Sequence, residues 1–101
     1  LFTPKVQTHQ TDLFVDALLT LKSGEDAYRF LEDVLTVQEL LLAAQRFEVA
    51  KMLHDGVKYL EIMSQTGASS ATISRVNRSL HYGSEGYHRI IKKMNGKREE
   101  G

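Results

Sequence analysis

Between Gln65 and Gly83 the chain carries no acidic residue, while small, hydroxylated and basic residues recur there: Ser69, Ser70, Ala71, Ser74, Arg75 and Arg78. These types suit one kind of chemistry. Small side chains let a backbone approach a base-pair edge, hydroxyls exchange hydrogen bonds with it, and guanidinium groups meet phosphate or guanine. At 100° per residue, Ala71, Ser74, Arg75 and Arg78 fall opposite a stripe of Ile73, Val76 and Leu80 at i, i+3 and i+7. The spacing therefore predicts a helix with one apolar face and one small, basic face fit for a major groove. Ser70, Ala71 and Ser74 are placed to read bases; Ser69, Arg78 and the upstream Lys58 are placed for phosphates. The alternative is an ordinary surface helix capped by serine.

Such a helix has to be held from behind. Tyr59 to Leu80 reads YLEIMSQTGASSATISRVNRSL, a helix with Ile62 and Met63 on its apolar side, a sharp turn at Gly67, and the helix just described. Gly67 accepts positive φ with little strain. Ala68 is small enough for two helices to approach, and Ser69 or Ser70 can cap the second one by accepting from a free backbone N–H. Residues 57–80 thus read as a helix-turn-helix.

The segment GASSATISRVNRSL resembles the recognition segment of the Trp repressor family, matching G-A-x-x-A-T-I-(S/T)-R-x-x-x-S-L. The resemblance extends upstream through LTVQELLLAAQRFEVAKMLHDG, where Leu35, Thr36, Glu39, Arg46, Leu53 and Gly56 fall on the same pattern. Downstream, LHYGSEGYHRII is similar to the YerC/YecD-like branch. Together these cover about Leu35 to Ile91. The resemblance implies an intertwined two-fold dimer that binds double-stranded DNA.

It also implies a second site. Thr72, Arg75 and Ser79 line one flank of the second helix, and in the family the matching positions join an arginine on the long preceding helix, here Arg46, to hold a small-molecule corepressor. Two arginines beside a slot could sandwich a flat ring and meet a carboxylate. The alternative is that Arg46 and Arg75 pair with acids such as Glu48 or Glu61, or bind phosphate. Two departures argue against tryptophan as the ligand and for a different operator. Val76 stands where the family's tryptophan pocket has glycine, so an isopropyl group takes the indole's space. The link from Gly56 to Gly67 is one residue shorter, which puts Leu60 near a position that supplies a DNA-contacting arginine.

The rest of the chain supplies the scaffold. Leu1 to Gln10 holds the only proline and little periodicity, and is expected to be a flexible arm. A single domain follows over residues 11–95, then a frayed tail over 96–101. Thr11 to Leu21 predicts a helix with Leu13, Phe14, Ala17, Leu18 and Leu21 on one face. Ser23 caps a second, whose face is Ala27, Phe30, Leu31 and Val34. Thr36-Val37-Gln38-Glu39 is a capping box opening a third helix that runs to His54 or Asp55 and stops at Gly56. Apolar residues lie on two sides of it: Val37, Leu40, Leu41, Ala44 and Phe47 on one, Leu42, Val49 and Leu53 on another. A helix apolar on two sides is buried on two sides, and a partner subunit is the simplest source of the second surface. Ser84 can cap a last helix with Tyr87, Ile90, Ile91 and Met94 inward and Arg89, Lys92 and Lys93 outward. The fold class is all-α, with six helices.

Composition fits this reading. The chain has 101 residues, 42% hydrophobic, and a net charge of zero that is unevenly spread. Residues 1–56 hold five Lys or Arg against nine Asp or Glu, and residues 57–101 hold eight against four, so the helix-turn-helix lies in the basic half. The absence of cysteine excludes disulfides and thiolate ligands and suits the cytoplasm. No signal peptide and no membrane-spanning run is visible. The spacing of His9, His54, His81 and His88 matches no zinc signature, so a surface role is expected for them. No phosphate-cradling glycine loop or nucleophile constellation suggests an enzyme. The leading function is a homodimeric DNA-binding transcriptional regulator, a repressor acting by occlusion. A helical dimerisation module for another protein, or a ligand sensor without specific DNA binding, is the alternative.

Overall fold

A computed structural model describes residues 1–100, with side chains described as far as residue 96. Among the described residues there are six helices and no strand: α1 His9–Leu18, α2 Gly24–Val34, α3 Val37–His54, α4 Tyr59–Thr66, α5 Ser70–Tyr82 and α6 Gly86–Glu100. The expected all-α class holds. The chain divides into two units, residues 1–37 and residues 38–101.

In the first unit, Thr8 rather than a later residue starts α1. Its hydroxyl accepts from the Thr11 amide at 3.0 Å, and the Thr11 hydroxyl accepts from the Thr8 amide at 2.7 Å, a reciprocal capping box. Two residues of the expected arm, His9 and Gln10, are therefore helical, and α1 begins two residues earlier than Thr11. It also stops at Leu18 instead of Leu21, where the Thr20 hydroxyl donates to the Ala17 carbonyl at 2.7 Å. Ser23 caps α2 as its position predicts, accepting from the Asp26 amide at 3.1 Å. Phe14 and Phe30 stack with ring centroids 5.7 Å apart. Yet no residue of α1 or α2 is buried, and Leu13, Val15, Leu19, Tyr28 and Val34 stand exposed.

The second unit holds the core. Val49 and Ala50 of α3, Ile62 of α4, Ala68 of the turn, Ile73, Val76 and Leu80 of α5, and Ile91 of α6 form one buried cluster. Phe47, Met52, Leu53, Val57, Met63 and Tyr87 pack around it, half-buried. The two-sided burial expected of α3 is met only over its second half; Leu41 and Leu42, in its first half, remain exposed. The expected inner stripe of α6 is divided too, with Tyr87 and Ile91 inward and Ile90 and Met94 exposed.

One cap is misplaced by sequence reasoning. Helix α6 opens at Gly86 after Glu85, which takes a positive φ of 66°, and the Glu85 carbonyl accepts from the Arg89 amide at 3.1 Å. Ser84 thus lies one residue too early to cap it. The tail expected to fray over 96–101 falls mostly outside the described residues.

Candidate nucleic-acid interface

Helices α4 and α5 pack against each other across a turn that is fixed by conformation and by hydrogen bonds. Gly67 closes α4 at φ 75°, its amide donating to the Met63 carbonyl at 3.0 Å. A Cβ built there would meet nothing nearer than Gln45 Nε2 at 4.0 Å, so the backbone angle rather than crowding calls for glycine. Thr66 turns its hydroxyl to the Ile62 carbonyl at 2.7 Å, and the Ala68 amide donates to that hydroxyl at 3.1 Å. From α3, Gln45 Nε2 donates to the Thr66 carbonyl at 3.1 Å. Gln45 and Thr66 were not singled out in the sequence. Thr66 could have been, since a threonine just before the turn glycine is placed to bond the orphan groups of a helix end. A glutamine 21 residues away leaves no such signal.

Ser69 settles the cap of α5. Its hydroxyl accepts from the Thr72 amide and also bonds the Thr72 hydroxyl, both at 3.1 Å. At the far end, the Gly83 amide donates to the Ser79 carbonyl at 2.9 Å, and any Cβ on Gly83 would collide with that same carbonyl oxygen. Between these ends the helix is divided as the periodicity predicts. Ile73, Val76 and Leu80 are buried, whereas Ser70, Ala71, Ser74, Arg75, Arg78 and Ser79 are exposed and Thr72 is half-buried. The buried stripe fixes the rotation of α5 about its axis and so determines which side chains point out. No ion pair among the described residues involves Arg75, Arg78, Arg46 or Lys58. The pairing of Arg46 with Glu48, or of Arg75 with Glu61, is not seen; Glu61 instead accepts from Gln65 Nε2 at 3.0 Å.

Around this face, Lys58 is the exposed residue preceding α4, and Leu60, in the first turn of α4, is 82% exposed. Arg46 on α3 is also exposed. Val76, by contrast, is 2% exposed, inside the buried cluster to which α3, α4, α5 and α6 contribute. The histidines differ from a purely surface reading. His88 is half-buried, its Nε2 is 2.9 Å from the Leu80 carbonyl oxygen, and its ring lies 5.5 Å from that of His54. Among the described residues no group of three His, Cys, Asp or Glu side chains is arranged to hold a metal ion.

A helix pair joined by a glycine turn, with the second helix locked by an apolar stripe and open on a small, basic face, defines a helix-turn-helix protein. The chain belongs to the Trp repressor family: the model for Trp repressor protein matches residues 9–95. That family is one of DNA-binding regulators. The chain is 42% identical over 90 residues to the uncharacterized protein YerC of Bacillus subtilis (strain 168), spanning 89% of this chain and 86% of that one. Among solved structures it is similar to a TrpR-like protein from Eubacterium eligens ATCC 27750, with 50% identity and a TM-score of 0.87 over 90% of this chain and 94% of that one. A candidate Trp repressor from Staphylococcus aureus is 44% identical, with a TM-score of 0.86 over 90% and 91% of the two chains.

Proposed function

We propose that the protein is a homodimeric transcriptional regulator that binds a pseudo-palindromic operator in double-stranded DNA and represses by occlusion. The observation that carries this is the outer face of α5, exposed, free of acids and held in one rotation by Ile73, Val76 and Leu80. A helix built to bind another protein would more often present Leu, Met or aromatic residues there. Ser70, Ala71 and Ser74 read base edges; Ser69, Arg78 and Lys58 hold phosphates. Ser69 accepts from the Thr72 amide and donates to the Thr72 hydroxyl, so a phosphate contact requires its hydroxyl proton to turn away from Thr72.

Dimerisation follows from what a single chain leaves uncovered. A 37-residue unit that buries no residue has no core of its own, and segments of that size need another surface to be stable. Exposed Leu41 and Leu42 on α3 offer a matching requirement. Among the described residues no helix is long and apolar enough to cross a membrane.

Operator binding in this reading needs no corepressor. Val76 occupies the place that the family's tryptophan ring takes, and its burial in the cluster that α4 and α5 share keeps the pair in its binding posture. The slot of Arg46, Thr72, Arg75 and Ser79 then serves as a basic flank, with Thr72 engaged by Ser69. The test is fluorescence anisotropy on duplex DNA over a range of salt, without added ligand. Wild type binds with a steep salt dependence; Arg78→Ala weakens binding to all sequences and lowers the slope of log K against log salt by about 1. Absence of duplex binding by the wild type refutes the function.

A further inference from the structure

The geometry points to a second phosphate-contacting surface on the outer face of α6, made by Arg89, Lys92 and Lys93 and taking the backbone of duplex DNA beyond the recognition helix. The inference rests on the DNA-binding reading and extends it to an element that the helix-turn-helix does not include. Three observations support it.

The first is rotation. Ile91 is fully buried and Tyr87 half-buried, which fixes the inner side of α6. At 100° per residue, Arg89 and Lys93 each fall about 160° from Ile91, and Lys92 about 100° from it. All three are exposed and share an outward arc, and among the described residues none is in an ion pair. They line one groove of about 530 Å³ together with Glu85, the one acid there. An oxyanion in that groove meets three cations and a single carboxylate.

The second is attachment. Between α5 and α6 lie only Gly83, Ser84 and Glu85, and His88 in the first turn of α6 bonds the Leu80 carbonyl in the last turn of α5 at 2.9 Å. The basic arc is thereby held to the end of the recognition helix and does not hang on a mobile link. Arg75, Arg78, Arg89, Lys92 and Lys93 follow one another along the two joined helices with Glu85 as the only acid among them.

The third concerns Arg89, whose charge does not serve α6 itself. The first turn of α6 contains no acid, and Arg89 follows directly where the macrodipole favours negative charge. Arg89 gains nothing from the dipole of its own helix, and an anionic partner explains its position there.

The experiment measures binding of the full chain to a duplex pool of random sequence, where the electrostatic contribution dominates, over a series of salt concentrations. Circular dichroism confirms that each variant is folded; the substituted side chains are exposed, and no partner among the described residues is lost. The double change Lys92→Gln and Lys93→Gln is expected to weaken binding about ten-fold at moderate salt and to lower the slope of log K against log salt by about 1 to 2. Glu85→Gln is expected to strengthen binding, an effect that a structural role for this turn would not produce. If the wild type binds and the double variant keeps its affinity and slope, the second surface is refuted while the recognition face stands. If the wild type binds no duplex at all, both fall together.

Discussion

Ser74 and Arg78 share the exposed face of α5 and, in the proposed complex, act on different parts of a duplex. A hydroxyl one turn from the helix start reaches a base edge, whereas a guanidinium further along meets the backbone. Ser74→Ala is therefore expected to change which sequences are preferred while leaving the salt dependence intact. Competition between selected and scrambled duplexes measures this; an unchanged preference removes Ser74 from the reading surface. Val76 is tested from the opposite side of the helix. Val76→Gly gives up a buried side chain and adds a helical glycine, together about 3 kcal/mol of stability by denaturation. The same variant should lose ligand-free operator binding, and calorimetry should show tryptophan binding to it and not to the wild type. Tight tryptophan binding by the wild type would contradict the placement of Val76 in the indole's space.

At the scale of elements, two glycines frame the recognition helix for different reasons. Gly67 is demanded by its φ of 75°, with open space around it, so Gly67→Ala should cost about 1–2 kcal/mol and Gly67→Asn less. Gly83 has an ordinary negative φ but sits against the Ser79 carbonyl, so at that position Asn offers no relief over Ala. Equilibrium unfolding of the four variants separates the two causes. If Asn rescued Gly83 as well as Gly67, the steric account of Gly83 would fail.

The same elements show what a sequence can reveal. The α4–turn–α5 segment was legible because every level agreed there: a 3.6-residue stripe, a turn glycine and a capping serine all within 22 residues. Helix α1 was not, because its start depends on a Thr8–Thr11 pair in which threonine replaces the usual Glu or Gln of a capping box. Ser84 looked like a cap, yet the chain enters α6 through a left-handed Glu85, which residue preferences disfavour. The fastening of the turn by Gln45 was invisible because nothing in local pattern links residues so far apart.

For the whole molecule, the proposed dimer covers the exposed apolar residues of α1, α2 and the first half of α3 with a second chain. Folding and association are then linked, so the melting temperature should rise with protein concentration. Leu42→Asp places an unpaired carboxylate in the proposed interface and should remove helical circular dichroism at micromolar concentration rather than release a folded monomer. A wild-type chain that sediments as a folded monomer would overturn this assembly.

In the proposed dimer, two recognition helices related by a two-fold axis face the same groove pattern in opposite directions. The most direct measurement is selection of duplexes from a random pool by the purified protein, followed by sequencing. The enriched sites should contain two inverted half-sites with centres about 34 Å apart or a multiple of it, the separation general to two-fold helix-turn-helix dimers, the Trp repressor among them. Enrichment of a single unrepeated half-site, or no enrichment over the starting pool, would contradict the account.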